Sequence, residues 1–300
     1  MKIIKAEYLG MCFGVRDAIA LAVNTARHEP LTILGDLVHN ETVLAGLRQR
    51  DIRFARQSAE VATPTVMITA HGASERAINQ ARGHGLHVLE ATCPLVHFAH
   101  RALAQLVAAG FYPIIIGQRQ HVEVRGMTED LDEFNVVLNA EDVEQLQSRP
   151  RLGIIAQTTQ PMDKVAHLVS LIRQRFPSAE VSFRDTVCQP TKQRQQAAIE
   201  LAQRADVVIV IGGAQSNNTH ELVVTCGRHC DAVHYVQTAA DLQSEWFSLE
   251  HTVGITAGTS TPEETIAAVE KWLNELNFTF QNPKFSEDSN SNLTQLTMMP

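Results

Sequence analysis

Three cysteines could act together in this chain. Cys12, Cys93 and Cys188 each end a short strand-like run (EYLGMC, VLEATC, FRDTVC), and each is followed by a segment with helical spacing of apolar residues. The stretches that follow also match. At almost the same separation from each cysteine, an apolar run stops at a glycine: LTILG at Gly35, YPIIIG at Gly117 and VVIVIGG at Gly212. Four residues past each glycine stands a polar side chain, His39, His121 or Ser216. This is an internal repeat of long period. It predicts three equivalent α/β units, each bringing one thiolate to a shared centre. Three thiolates could bind zinc, although a structural zinc usually takes four ligands, often from close CxxC pairs that this chain lacks. They suit a [4Fe–4S] cube better, with one iron left open for a substrate oxygen. Spacing alone leaves both metals standing.

The histidines at the loop mouths point to a second chemistry. His39, His71 and His121 all fall just beyond expected strand ends, as do Ser216, Asn218 and Ser260. Imidazoles, hydroxyls and amides at helix N-termini can hold an anion without Lys or Arg. Glu123 stands two residues from His121. In a closed pocket its pKa should rise, which would make it a proton donor. The histidines on helices or their edges, such as His97, His100, His167 and His229, read as surface or packing residues. Cys226 and Cys230 in CGRHC read as core packing rather than a metal pair.

These residues need a scaffold that presents them from loops. Expected strands alternate with expected helices throughout, which implies parallel sheets with ligands beyond the strands' carboxyl ends. The N-terminal strand 1–12 is expected to join the central site. Three α/β units should follow at 13–93, 94–187 and 188–283. Pro94 suits the first turn of the helix after Cys93. Thr261-Pro262-Glu263-Glu264 has the pattern of a capping box with proline at the first helical position. The Ser/Asn-rich stretch 284–300 is expected to be a disordered tail.

Composition excludes several classes. The 300 residues carry a net charge of −8 and no Lys/Arg cluster, which argues against a nucleic-acid partner. No apolar run reaches the ~18 residues of a membrane span, and no export signal is evident, so a cytoplasmic protein is expected. The cysteine count, 5, is odd and widely spaced, which favours metal or redox chemistry over disulfides.

The motifs GMCFGV, LVHN, HGAS, ATCPLV, HVEVRG, QTT, DTVC, SNN and TAGTS occur here in one order. As a set covering about residues 7–280, they resemble the 4-hydroxy-3-methylbut-2-enyl diphosphate reductase family. That resemblance implies three similar α/β domains in a pseudo-threefold arrangement around an oxygen-sensitive [4Fe–4S] cluster held by Cys12, Cys93 and Cys188. It implies a reductive dehydroxylation yielding isopentenyl and dimethylallyl diphosphate, with ferredoxin or flavodoxin as electron donor. His39, His71, Ser216, Asn218 and Ser260 would hold the diphosphate, and His121 would sit near it and near the substrate's hydroxyl end. Glu123 would deliver protons, and Thr158 would orient both the substrate hydroxyl and Glu123. Asn217 falls where the family often has Ser and would share the binding role. Val122 replaces a usual Pro between His121 and Glu123, and His97 replaces a frequent Thr. Two rival readings exist: a quinolinate synthase-like dehydratase, which lacks the HGAS, HVEVRG and TAGTS loops, and a redox sensor or carrier, which has no need of a polar pocket.

Overall fold

The structure, a computed structural model, describes residues 1–282; the expected tail at 284–300 lies outside them. Three parallel sheets of four strands each form the frame. The first contains β2 (Leu31–Leu34), β3 (Arg53–Ala55), β4 (Thr65–Ile68) and β5 (His87–Glu90), in the order β3-β2-β4-β5. The second contains β6 (Tyr112–Ile116), β7 (Asn135–Val137), β8 (Arg151–Ala156) and β9 (Glu180–Phe183), in the order β7-β6-β8-β9. The third contains β10 (Val207–Ile211), β11 (Ala232–Val236) and β12 (Thr252–Ala257). Its order is β11-β10-β12-β1, where β1 (Lys2–Lys5) is the first strand of the chain. β1 lies parallel to β12, with Lys2 opposite Thr252. It therefore occupies in the third sheet the edge that β5 and β9 occupy in the others.

The helices repeat on the same plan. α1 (Phe13–Ala26), α4 (Pro94–Ala108) and α8 (Gln189–Ala202) follow the edge strands β1, β5 and β9. α2 (Glu41–Arg48), α5 (Val122–Thr128) and α9 (Asn217–Gly227) follow β2, β6 and β10. α3 (Glu75–Gly83), α7 (Met162–Arg175) and α10 (Glu263–Gln281) follow β4, β8 and β12, and the short α6 (Ala140–Glu144) follows β7. Helices on both faces explain why the central strands are unbroken apolar runs. Ile114, Ile115 and Ile116 of β6, and Val208, Ile209 and Ile211 of β10, are fully buried. Truncating one, as in Ile154→Ala in β8, would cost about 2–5 kcal/mol in lost transfer energy and cavity.

Several local expectations shift. β1 stops at Lys5, and Gly10 just before Cys12 has φ +72°, so the approach to Cys12 is a turn rather than extended strand. Val107, expected on the buried stripe of α4 with Ala99, Ala102, Leu103 and Leu106, is 38% exposed. The capping box at Thr261 does not form. The hydroxyl of Thr261 is buried and donates to the Ile211 carbonyl at 3.0 Å, and Pro262 is the residue preceding α10. That carbonyl also accepts from the Gly258 amide at 2.9 Å, so Thr261 adds a second buried hydrogen bond to it from a position outside the N-cap. Cys226 lies in α9 but Cys230 lies beyond its end. Both are buried, and the Cys230 thiol points at the Ala205, Asp206 and Ala232 carbonyls at 3.5 Å.

The three units meet through their loops. A Cβ on Gly126 in α5 would lie 3.3 Å from the Ala73 Cα, which brings the first and second units together. At the same seam the Asp130 carboxylate accepts from the Glu75 and Arg76 amides at the start of α3, at 2.7 and 3.0 Å. A Cβ on Gly213 would overlap the His39 carbonyl oxygen, so only glycine lets the third unit approach the first.

Candidate active site

Each sheet sends three loops to the centre. Cys93, Cys188 and Cys12 are the N-cap residues of α4, α8 and α1, following the equivalent edge strands β5, β9 and β1. None of the three uses its side chain to cap its helix. The loops after the second strand of each sheet carry His39, His121 and Ser216. Those after the third strand carry His71, Thr158 and Ser260.

Cys12 lies near enough to each of the other two thiols to act on it electrostatically. The Cys12 charge raises the pKa of both Cys93 and Cys188, and a Cβ on Gly14 would lie 2.5 Å from the Cys93 sulfur. Burial is the main cause of the elevation in both: it raises Cys93 and pushes Cys188 up to about 11. Alone these would be protonated thiols, and no disulfide joins them. A cationic metal centre would convert them to thiolates and offset the burial. The donor set and the glycine opposite Cys93 therefore fit a metal group held by three sulfurs.

Two further groups in this wall carried no motif. The Thr191 hydroxyl lies 3.1 Å from the Cys188 sulfur. The Arg194 guanidinium is buried, donates to the Gly10 carbonyl at 2.9 Å, and feels the charges of Cys12 and Cys188. The signal for both lay in spacing. Thr191 and Arg194 recur at three-residue steps from Cys188, along the face of α8 turned to the centre.

Beside the sulfurs lies the carboxyl of Glu123, which is 1% exposed. The Thr158 amide donates to Oε1 at 2.6 Å, and the Thr158 hydroxyl donates to Oε2 at 2.8 Å. Burial pushes the Glu123 pKa up to about 7, against the lowering by the two Thr158 bonds. Its charge acts on Cys93 and Cys188, so the acid faces the thiol trio. Val122 occupies the first position of α5, where Pro is best tolerated, and the helix starts there without it. The His121 Nδ1 accepts from the Glu123 amide at 3.2 Å and holds the turn. His97 lies outside this group, half-exposed with its Nε2 3.9 Å from Glu90.

The third component is a histidine cluster. His39 and His71 stack with ring centroids 4.3 Å apart, and His121 meets them edge-on at 5.1 and 5.5 Å. One ring nitrogen from each lies within 4.8 Å of the others, so the trio could hold a metal ion or an anion. Burial holds all three imidazoles below their ordinary pKa, His71 well below and His121 down to about 4. Nδ1 of His39, Nδ1 of His71 and Nδ2 of Asn218 are buried and find no partner within the described residues. Unpaired buried donors of this kind call for an outside acceptor. Ser260 donates to the His39 carbonyl at 3.3 Å, and the Ser216 hydroxyl caps α9 by accepting from the Thr219 amide at 3.3 Å. Asn217 spends both polar atoms inside the protein, accepting from Gln118 at 2.7 Å and donating to Thr159 Oγ1 at 3.0 Å.

Comparison with known proteins agrees with this layout. The profile of the LytB protein family matches residues 3–274. A 4-hydroxy-3-methylbut-2-enyl diphosphate reductase of Trichlorobacter lovleyi is 35% identical over 279 residues, covering 92% of this chain and 99% of that protein. One from Haemophilus influenzae is 34% identical, covering 90% and 88%. The solved E-1-hydroxy-2-methyl-but-2-enyl-4-diphosphate reductase of Plasmodium falciparum superposes with a TM-score of 0.84 at 27% identity, covering 91% of this chain and 87% of that one. A second solved structure, of the (E)-4-hydroxy-3-methyl-but-2-enyl diphosphate reductase that ends the non-mevalonate pathway, gives 0.67 at 34% identity, covering 91% and 99%. The match runs through all three sheets and every loop that reaches the centre, and this chain belongs to the LytB protein family.

Proposed function

We propose that this chain is a 4-hydroxy-3-methylbut-2-enyl diphosphate reductase. It removes the allylic hydroxyl of that substrate and releases isopentenyl and dimethylallyl diphosphate, the last step of the non-mevalonate route. The observation that carries this reading is a buried carboxylic acid with a pKa near 7, set between three N-cap thiols and a cluster of unpaired imidazole and amide donors. Cys12, Cys93 and Cys188 would hold one [4Fe–4S] cluster, which when bound would supply electrons and Lewis acidity.

The chain's own residues do the rest. His39, His71, Asn218 and the Ser216 and Ser260 loop mouths receive the diphosphate, with His121 between it and the hydroxyl end. Burial disfavours protonation of all three imidazoles, and repulsion between the rings adds to this at His71 and His121. A bound polyanion reverses that balance and draws protons onto them. The anchored substrate presents its hydroxyl to Thr158 and Glu123. The C–O bond breaks as a C–H bond forms. This consumes two electrons and two protons, and oxygen leaves as water. At pH values below about 7 the Glu123 carboxyl holds a proton. It gives that proton to the departing oxygen, and Thr158 keeps the carboxyl aimed. The electrons come one at a time from a small protein carrier, ferredoxin or flavodoxin. A cytoplasmic site of action suits the five free thiols.

The test is anaerobic. The purified chain is assayed for iron and sulfide, then for turnover of the hydroxy diphosphate with dithionite-reduced viologen. Glu123→Gln should keep the iron and lose turnover by at least about a hundredfold, the usual contribution of a positioned acid. Near-normal turnover in that variant removes Glu123 from this role, and no turnover by the iron-loaded parent removes the reading itself.

A further inference from the structure

Asn217 stands in the middle of the anion-binding loop between Ser216 and Asn218, yet its side chain points across a seam. We propose that Asn217 is a positioning residue: with Gln118 it forms a latch that ties the anion cradle of the third unit to the loops carrying the acid in the second. This rests on the diphosphate reading of the cradle, and it moves Asn217 from a ligand to a residue that acts through others.

The hydrogen bonds make a closed circuit. Gln118 Nε2 donates to Asn217 Oδ1 at 2.7 Å. Asn217 Nδ2 donates to Thr159 Oγ1 at 3.0 Å and to the Thr159 carbonyl at 3.3 Å. The Gln157 Nε2 donates to the same Thr159 hydroxyl at 3.2 Å, and its Oε1 accepts from the Gln118 amide at 3.0 Å. Gln160 Nε2 supports that oxygen at 3.1 Å. Asn217, Gln157 and Gln160 are each at least 96% buried.

The positions give the circuit its purpose. Gln118 begins the turn that leads to His121 and Glu123, and Thr159 is the neighbour of Thr158. One asparagine therefore grips both loops that hold the acid, from a helix capped by Ser216 and with Asn218 in its first turn. The residue type matters as much as the place. A serine at this point has one short hydroxyl and cannot span Gln118 and Thr159 together, whereas an amide presents an acceptor and a donor in opposite directions. Both of its hydrogen-bonding groups are committed, so little remains for a ligand. When the latch opens, the fraction of molecules with cradle and acid in register falls, and apparent affinity falls by that fraction.

A double-mutant cycle tests this on the cluster-loaded protein under anaerobic conditions. Asn217→Ala, Gln118→Ala and the pair are compared with the parent for KM, kcat and binding of inorganic diphosphate by calorimetry. Asn217→Ser serves as the milder variant, and iron content and melting temperature serve as checks on folding. The latch predicts that each single change weakens diphosphate binding and raises KM by roughly tenfold, as loss of one or two buried hydrogen bonds implies. It also predicts that the double change is no worse than Asn217→Ala alone and that kcat falls less than KM rises. Binding unchanged in Gln118→Ala, or additive losses in the pair, would make Asn217 a direct ligand or a bystander and overturn the proposal. The binding arm reads the latch even if the parent turns over no hydroxy diphosphate, so failure of the reductase reading remains distinct.

Discussion

Thr158→Val removes one hydroxyl and keeps a branched side chain beside the Glu123 carboxyl. The hydroxyl donates to Glu123 Oε2 at 2.8 Å and stabilises the charged form, and the backbone amide bond to Oε1 at 2.6 Å survives the change. A hydrogen bond to a charged group contributes about 1.5–3 kcal/mol, and one pKa unit corresponds to about 1.4 kcal/mol. Losing it should raise the Glu123 pKa from about 7 by roughly one unit or somewhat more. The sign follows from the role of the group. The protonated acid is the active form, so activity of the parent falls as pH rises through about 7. The assay is kcat/KM against pH, read anaerobically for the parent, Thr158→Val and Thr158→Ser. The valine variant should be slower overall, because the hydroxyl also orients the substrate, but its falling limb should move to higher pH. Serine should bring the limb back. A limb that stays in place, or moves to lower pH, would refute the assignment of that limb to Glu123.

Two further outcomes follow from burial and close packing. The folded chain keeps the Glu123 proton up to about pH 7, whereas a free carboxyl releases it above its ordinary value of 4.5. The stability due to this group is therefore full at pH 4 and declines as pH rises to 7; by pH 8 the loss is roughly 3 kcal/mol. Glu123→Gln should then raise the denaturant midpoint at pH 8 and leave it nearly unchanged at pH 4, and equal effects at both would contradict the burial argument. Gly14→Ala would place a methyl group 2.5 Å from the Cys93 sulfur, so its iron content should drop several-fold while circular dichroism stays native; full iron loading would show that Cys93 can swing away at no cost.

Much of this protein was legible before any coordinate. The cysteine repeat, the glycine-ended apolar runs and the polar residues four positions on all survive as elements of three alike sheets. They do so because strand periodicity, helix starts and turn residues are local properties that a sequence displays directly. The rise in the Glu123 pKa was also foreseeable, since a lone carboxyl in a closing pocket has little choice. Three things were decided only in the folded chain. The first strand completes the last sheet beside β12, a pairing between the two ends of the chain that no local pattern encodes. Thr261 bonds the Ile211 carbonyl instead of capping a helix, because α10 starts only after Pro262 and leaves Thr261 outside the N-cap position. Asn217 looked like one more donor in a run of polar loop residues, and Gln118 carried no signal at all. Their partnership exists because two loops a hundred residues apart are pressed together at a seam between units, and long-range packing of that kind is what the order of residues does not spell out.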